Sequence, residues 1–236
     1  ILESEPKLKD EGSALVLPGE LASDQGGRFT LKVKYNRLQA VGNQEVYLNI
    51  NNVYALSGQA LRYSVTSPVS KVVSQFRLKS GAYYYSPQGN QLGVGPVPPQ
   101  VGLATSFWIF WEGENSGNEL ENLVVSAEVP ESAVWMDDKS LLAGSLRHAE
   151  VGGRVVREVT DLPSQTEKGQ YRAGFSLGVI PEEKDLGKVL PLLTNIKYSA
   201  RDKFTGQEVS GSLPDLDTNL AADVLSNGKG QVIAAN

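Results

Sequence analysis

The sequence predicts an all-β protein made of antiparallel β-sandwiches, and three observations carry that reading. In Ser106 to Trp111, Phe107, Ile109 and Trp111 fall on one face of a strand, and Trp108 and Phe110 on the other. After a polar connector rich in Gly and Asn, from Glu112 to Asn122, Leu123, Val125, Ala127 and Val129 alternate in the same way, so the two runs read as adjacent antiparallel strands. No segment sustains the 3.6-residue period of an amphipathic helix.

Short strands punctuated by turn residues recur along the chain. Ala14 to Leu17 ends at Pro18-Gly19, and Arg28 to Tyr35 places Phe29, Leu31, Val33 and Tyr35 on one face. Val46 to Ile50 and Ala60 to Val65 follow, and Lys71 to Tyr85 is a longer β-rich run with an expected break or bend at Ser80-Gly81. Gly89 to Gly102 is Pro-rich, which excludes central-strand pairing and favours an extended course. Beyond the opening pair come Gly153 to Val159, Gln170 to Val179, Val189 to Ala200 and Gln207 to Leu213. Pro181 to Gly187 reads as a single helical turn, with Pro first and Gly last. The turn dipeptide Ser67-Pro68 divides a small or incomplete β domain, residues 1–67, from a sandwich domain, residues 68–222. Residues 223–236 lose the apolar alternation and read as a flexible tail.

Composition narrows the function. With 236 residues, 40% hydrophobic and 21% charged, the chain can bury a core and is not expected to be disordered. A net charge of -5 argues against nucleic acid as partner, since phosphate binding needs a basic face. The absence of Cys removes disulfides, zinc-thiolate sites, iron–sulfur ligation and cysteine nucleophiles. The chain opens at Ile1 and its one Met is Met136, so it is read as a processed product or a fragment whose signal or anchor lies outside it.

Catalytic signals are sparse, and no catalytic residue is assigned. The single His148 has no Gly-x-Ser-x-Gly elbow or His-Glu-x-x-His pair to work with, and is expected to be an exposed loop histidine. Glu112, Glu114 and Glu128 flank aromatic strands and are candidate paired acids for glycoside hydrolysis, although any surface carries such pairs. Carboxylates also gather at Asp137-Asp138 and at Asp215-Leu-Asp217, with Asp223 beyond. Asp-x-Asp spacing can offer hard oxygens to Ca²⁺, which makes Asp215 and Asp217 the candidate ligands of the one cofactor considered, calcium. The competing role is turn formation through hydrogen bonds to their own backbone.

Aromatic residues are the more informative group. Tyr83, Tyr84, Tyr85, Trp108 and Phe110, with Phe107, Trp111 and Trp135 nearby in sequence, can form a platform that stacks on a sugar or peptide. The alternative is core packing on one strand face and cover by a second surface on the other. Val72 to Tyr85 is also long and apolar enough to be an edge strand that associates by strand addition.

Tyr83-Tyr-Tyr-Ser86, Gly95-Pro-Val-Pro-Pro-Gln-Val-Gly102, the Phe107–Trp111 strand, Asn195 to Glu208 and Leu213 to Leu220 form an ordered set. Over residues 70 to 230 this set resembles the terminal repeats of large bacterial surface proteins built from tandem immunoglobulin-like domains, the conserved-repeat, adhesin-like family. Residues 1–67 share the likeness loosely, through Leu17 to Leu21 and Phe29 to Tyr35, and Asp138 to Val159 departs from the family pattern. The resemblance implies an extracytoplasmic, cell-surface structural, adhesion or assembly module, tethered by an anchor outside this chain. Its implied partners are other surface proteins or copies of itself through edge strands, with a glycan as the alternative. It supplies no catalytic residues.

Overall fold

The structure, a computed structural model, describes residues 3–5, 7–11, 15–16, 30–32, 42–164 and 171–235. The chain forms two units, Ile1–Gln39 and Ala40–Asn236. In the first, β1 (Glu3–Glu5), β2 (Lys9–Asp10), β3 (Leu15–Val16) and β4 (Thr30–Lys32) pair antiparallel, β1 with β4 and β2 with β3. The remainder of the expected strands Ala14 to Leu17 and Arg28 to Tyr35 lies outside the described residues.

The second unit opens with β5 (Glu45–Val46), a hairpin of β6 (Asn49–Leu56) and β7 (Gln59–Thr66), and β8 (Ser70–Lys71). Its sandwich is built from β9 (Gln75–Tyr83), β10 (Thr105–Ser116), β11 (Leu120–Glu128), β12 (Val134–Leu141), β13 (Ser145–Ala149), β14 (Arg154–Leu162), β15 (Tyr171–Val179), β16 (Pro191–Asp202), β17 (Glu208–Ser212) and β18 (Leu216–Asp217). One sheet has the order β12-β15-β10-β9 and the other β13-β14-β11-β16-β17, with β18 also on β16; every pairing is antiparallel. The expected helical turn is a short 3₁₀ turn, Glu183–Asp185.

Period-2 alternation decides what the sheets bury. Phe107, Ile109 and Trp111 of β10, Phe175 and Leu177 of β15, and Leu123 and Val125 of β11 are fully buried in one core shared by both sheets. Burying each large apolar side chain is worth roughly 1.5–3 kcal/mol. The alternation was read correctly, but the pairing was not. β10 and β11 lie in opposite sheets: β10 pairs with β9 and β15, and β11 with β14 and β16. Two inward-facing runs joined by a short connector satisfy a core equally well when the chain crosses from one sheet to the other.

The expected break at Ser80-Gly81 is also absent. β9 keeps an unbroken register on β10 from Gln75↔Ser116 to Tyr83↔Trp108. Gly81 is there for space: a Cβ at this position would lie 2.8 Å from the Tyr83 ring and 3.0 Å from Ala222.

The division between units falls at Gln39/Ala40, ahead of the expected boundary at residues 67 and 68. The intervening segment is tied to the sandwich. Asn43 N–H donates to Asn118 Oδ1 (2.5 Å), Val72 N–H to Gln44 O (2.9 Å), and Lys71 Nζ to Phe204 O (3.1 Å). The expected tail is packed too, for Asp223, Ser226 and Val232 are buried. Asp223 Oδ2 accepts from Tyr84 N–H (2.8 Å) and Tyr85 N–H (2.7 Å), and Oδ1 from Leu225 N–H (3.0 Å), which staples this segment to the end of β9.

A second buried carboxylate joins the two sheets. Asp202, at the end of β16, is fully buried. Its Oδ2 accepts from Ser74 N–H (2.7 Å) ahead of β9 and from Asn118 Nδ2 (2.8 Å) in the β10–β11 crossing. Its Oδ1 accepts from Phe204 N–H (3.0 Å) and Thr205 N–H (2.9 Å). Burial alone would raise the carboxyl pKa, but the hydrogen bonds from Thr205, Asn118 and Ser74 outweigh it and hold Asp202 at about 2.

A folded pKa below the unfolded value means stability that is complete above about pH 4 and lost as pH falls toward 2. Asp202→Asn is therefore expected to cost about 2 kcal/mol in urea denaturation near pH 6. The gap between wild type and variant should close as pH falls from about 4 to about 2. A gap that is constant across that range would remove the carboxylate from this role.

Candidate functional site: the outer face of the four-stranded sheet

Strand geometry sends alternate residues of β10 away from the core. Trp108 and Phe110 therefore share the outer face of the four-stranded sheet with Tyr83, which stands opposite Trp108 in the β9–β10 register. All three are half-buried. On β15 the residues opposite are small: Ser176 faces Trp108 and Gly174 faces Phe110. A Cβ on Gly174 would lie 2.5 Å from Phe110 Cε1 and 3.2 Å from Trp108 Cε3, so the missing side chain is the room the two rings occupy.

The rings form a column. Trp108 and Phe110 stack with centroids 5.8 Å apart and planes 18° from parallel. The Arg172 guanidinium lies 4.0 Å from the Phe110 centroid and pairs with Glu112 at 3.4 Å. Arg172 and Trp108 flank Phe110 along the strands, one on each side. Tyr83 tilts against Phe110 at 5.8 Å. Burial, then the charges of Glu112 and Asp223, raises its phenol pKa, with Arg172 opposing.

The structure thus brings together three of the five expected aromatic residues. Tyr84 points the other way, into the core, where its hydroxyl donates to Gly95 O (2.6 Å). Tyr85 packs edge-on against Tyr84 with ring centroids 5.0 Å apart. Two residues that the sequence reading left out complete the site: Arg172 and Gly174 on β15. Their one sequence signal is the place of Arg172 opposite Glu112, and that register exists only once the sheet is assembled.

The candidate acids do not converge. Glu112 and Glu114 lie on this outer face, paired with Arg172 and with Lys79 (3.4 Å). Glu128 lies on the outer face of the opposite sheet, where its carboxylate accepts from Asn195 Nδ2 (2.9 Å). His148 is not a loop residue: it sits on β13, half-buried, stacked on Trp135 at 4.8 Å and 8°. Trp135 in turn stacks on Phe175 at 5.3 Å, which extends the core at the margin of the sandwich.

Asp215 and Asp217 serve separate structural roles, Asp215 acting on strand β16 and Asp217 in its own turn. Asp215 Oδ1 accepts from Asn195 N–H and Asp217 Oδ1 from Asn219 N–H, each at 2.9 Å. Among the described residues no three His, Cys, Asp or Glu side chains gather as a metal shell. An open depression of about 390 Å³ on the second sheet is lined by Asn122, Ser199, Arg201, Gly206 and Glu208. Among the described residues no helix is long and apolar enough to cross a membrane.

Arg157 is the most unusual buried group. It is fully enclosed, its Nη2 donates to Ala143 O (3.0 Å), and its guanidinium lies 4.0 Å over the Tyr171 ring. Among the described residues its Nε and Nη1 have no hydrogen-bond acceptor. Burial lowers the Arg157 pKa and pushes the Tyr171 phenol up to about 12. A desolvated cation without a carboxylate partner is a poor source of stability. Arg157→Met is expected to unfold at an equal or higher urea concentration than wild type; a loss above about 2 kcal/mol would show that the stacked guanidinium holds the core together.

No protein-family model matches the chain, and no curated protein sequence matches it. Among solved structures it is similar to a variant of the major pilin subunit BcpA of Bacillus cereus, at 11% identity and a TM-score of 0.40, over 70% of this chain and 50% of that one. It is similar to the full-length major pilin SpaD of Corynebacterium diphtheriae at 12% identity and a TM-score of 0.40, over 61% of this chain and 34% of that one. A third is the C-terminal domain of the AgI/II polypeptide BspA of Streptococcus agalactiae, at 11% identity and a TM-score of 0.34, over 74% of this chain and 59% of that one. The matched region spans half or less of the two pilins.

Proposed function

We propose that the chain is a non-enzymatic structural, adhesion or assembly module of a bacterial cell surface. The observation that carries this reading is the dispersal of the reactive side chains among the described residues. Glu112 and Glu114 are separated from Glu128 by the full thickness of the sandwich, and each is engaged by a cation or an amide. His148 is stacked on an indole, and the buried carboxylates of Asp202 and Asp223 hold strands together. Catalysis needs an acid, a base or a nucleophile within reach of one reacting atom. This molecule presents faces and edges, which suits contact with other macromolecules, and the family resemblance over residues 70 to 230 supports the surface location. Antibody labelling of intact source cells should stain them as strongly as lysed cells. Staining that appears only after lysis would overturn the surface location.

The outer aromatic column supports a second reading, a carbohydrate- or peptide-binding module that uses Trp108, with Phe110 and Tyr83 behind it. A glycan stacking on Trp108 is expected to quench tryptophan fluorescence in a saturable way, and Trp108→Ala should abolish that response while leaving the denaturation midpoint within about 1 kcal/mol of wild type. Equal quenching in the variant would place any ligand elsewhere.

A further inference from the structure

We propose that Trp108, Ser176 and Asp138 form a subsite for a neutral sugar ring on the outer face of the four-stranded sheet. The subsite rests on the carbohydrate- or peptide-binding reading of Trp108 and narrows its ligand to one class.

Register lines these residues up across the sheet. Tyr83 on β9 stands opposite Trp108 on β10, and Trp108 stands opposite Ser176 on β15. Beyond Ser176, the ladder between β12 and β15 is interrupted from Trp135 to Lys139. Asp137, inside that interruption, has a left-handed φ of 56°. The next residue, Asp138, is exposed and brings its carboxylate over β15, where Oδ2 accepts from the buried Ser176 Oγ (3.2 Å). The indole leans over β15 from the other side, since a Cβ on Gly174 would lie 3.2 Å from Trp108 Cε3. Met136 fills the next position, for a Cβ on Gly178 would lie 3.0 Å from its Sδ. An aromatic ring and a carboxylate thus approach each other over one strand of small residues.

Charge selects the ligand class. The other half of this face carries Glu112 paired with Arg172 and Glu114 paired with Lys79, with Arg77 opposite Glu114. The half around Trp108 carries Asp138 as its one charged side chain among the described residues, and Asp138 makes no ion pair there. A carboxylate without a cation repels an anionic ligand and accepts from hydroxyl groups through its remaining lone pairs. An ammonium ligand would need ring faces turned toward one point. Here Trp108 and Phe110 lie 18° from parallel and stack on each other, and Arg172 already occupies Phe110. An extended peptide needs main-chain partners, but β10 and β15 are each paired along both edges. The face therefore offers side chains alone. A sugar ring uses both kinds present, with its C–H face against the indole and its hydroxyls donating to Asp138.

The test is a titration of tryptophan fluorescence with methyl glucoside, galactoside and mannoside, and with the corresponding methyl uronosides. Tetramethylammonium and a pool of synthetic heptapeptides complete the probes. Concentrations up to about 100 mM are needed, because one ring on an open face binds with a dissociation constant on the order of millimolar. At least one neutral pyranoside should quench saturably, and Trp108→Ala should abolish that response. Asp138→Asn keeps an oxygen for Ser176 but loses the charge, and should weaken binding about tenfold. The uronoside of the same sugar should bind wild type about tenfold more weakly and Asp138→Asn no more weakly than the neutral form does. Asp137→Asn, at a side chain that accepts from Trp135 Nε1 (2.8 Å), should bind as wild type does. Far-UV circular dichroism and the urea midpoint confirm that each variant is folded. Equal affinity of wild type for a pyranoside and its uronoside overturns the proposal, as does unchanged binding in Asp138→Asn or tighter binding of tetramethylammonium than of every pyranoside. A Trp108-dependent response to the heptapeptides alone also overturns it and leaves the broader binding reading standing. No Trp108-dependent response to any probe removes both.

Discussion

The Asp202 carboxylate connects parts of the chain that are distant in sequence. It takes two hydrogen bonds from its own β16–β17 turn, one from Ser74 ahead of β9 and one from the Asn118 amide at the β10–β11 crossing. Asn118 extends the network, for its amide also donates to Val72 O and its carbonyl accepts from Asn43 N–H. One buried anion thereby fixes where the chain passes between sheets and where the hairpin stem is rooted. A buried charge is tolerable only when its lone pairs are filled, and all four donors here come from groups that would otherwise need partners of their own. Asp223 repeats the device at the end of β9, where it ties its own turn to Tyr84 and Tyr85.

Between these pins, the two faces of each strand have separate tasks. The inner face of β10 supplies Phe107, Ile109 and Trp111 to the core, and its outer face carries Trp108 and Phe110 over the small residues of β15. The outer column is not a second core, because its three aromatic residues remain partly in water and its end is closed by the Arg172–Glu112 pair. The β6–β7 hairpin differs again: it has exposed residues on both faces, and among the described residues its strands pair only with each other.

Much of this was legible in the sequence. The alternation in Phe107–Trp111, Leu123–Val129 and Tyr171–Val179 identified strands and sorted their side chains onto two faces correctly, with Trp108 and Phe110 together on the face opposite Phe107, Ile109 and Trp111; which face of that strand is buried was left open. Tyr84 was grouped with its neighbours as a ligand-facing residue, yet β9 turns it inward, as strict alternation with Tyr83 and Tyr85 requires. His148 was read as an exposed loop residue because its short strand has weak periodicity; the ring of Trp135 from another strand half-buries it. The segment from residue 223 onward was read as a tail because it lacks alternation, and its anchoring by Asp223 and by isolated bridges at Gln231 and Ile233 leaves no periodic trace.

By itself the sequence determined that the chain is all-β, which residues of its long strands share a face, and that thiol chemistry is absent. Those properties follow from local geometry, since successive side chains on a strand point to opposite sides whatever the strand pairs with. Only the tertiary structure decided that β10 and β11 belong to different sheets, that Asp202 and Asp223 are structural, and that Arg172 closes the aromatic column. Each of these depends on contacts between residues far apart in the chain. An alternating pattern states which face is apolar, but it carries no record of which strand lies alongside.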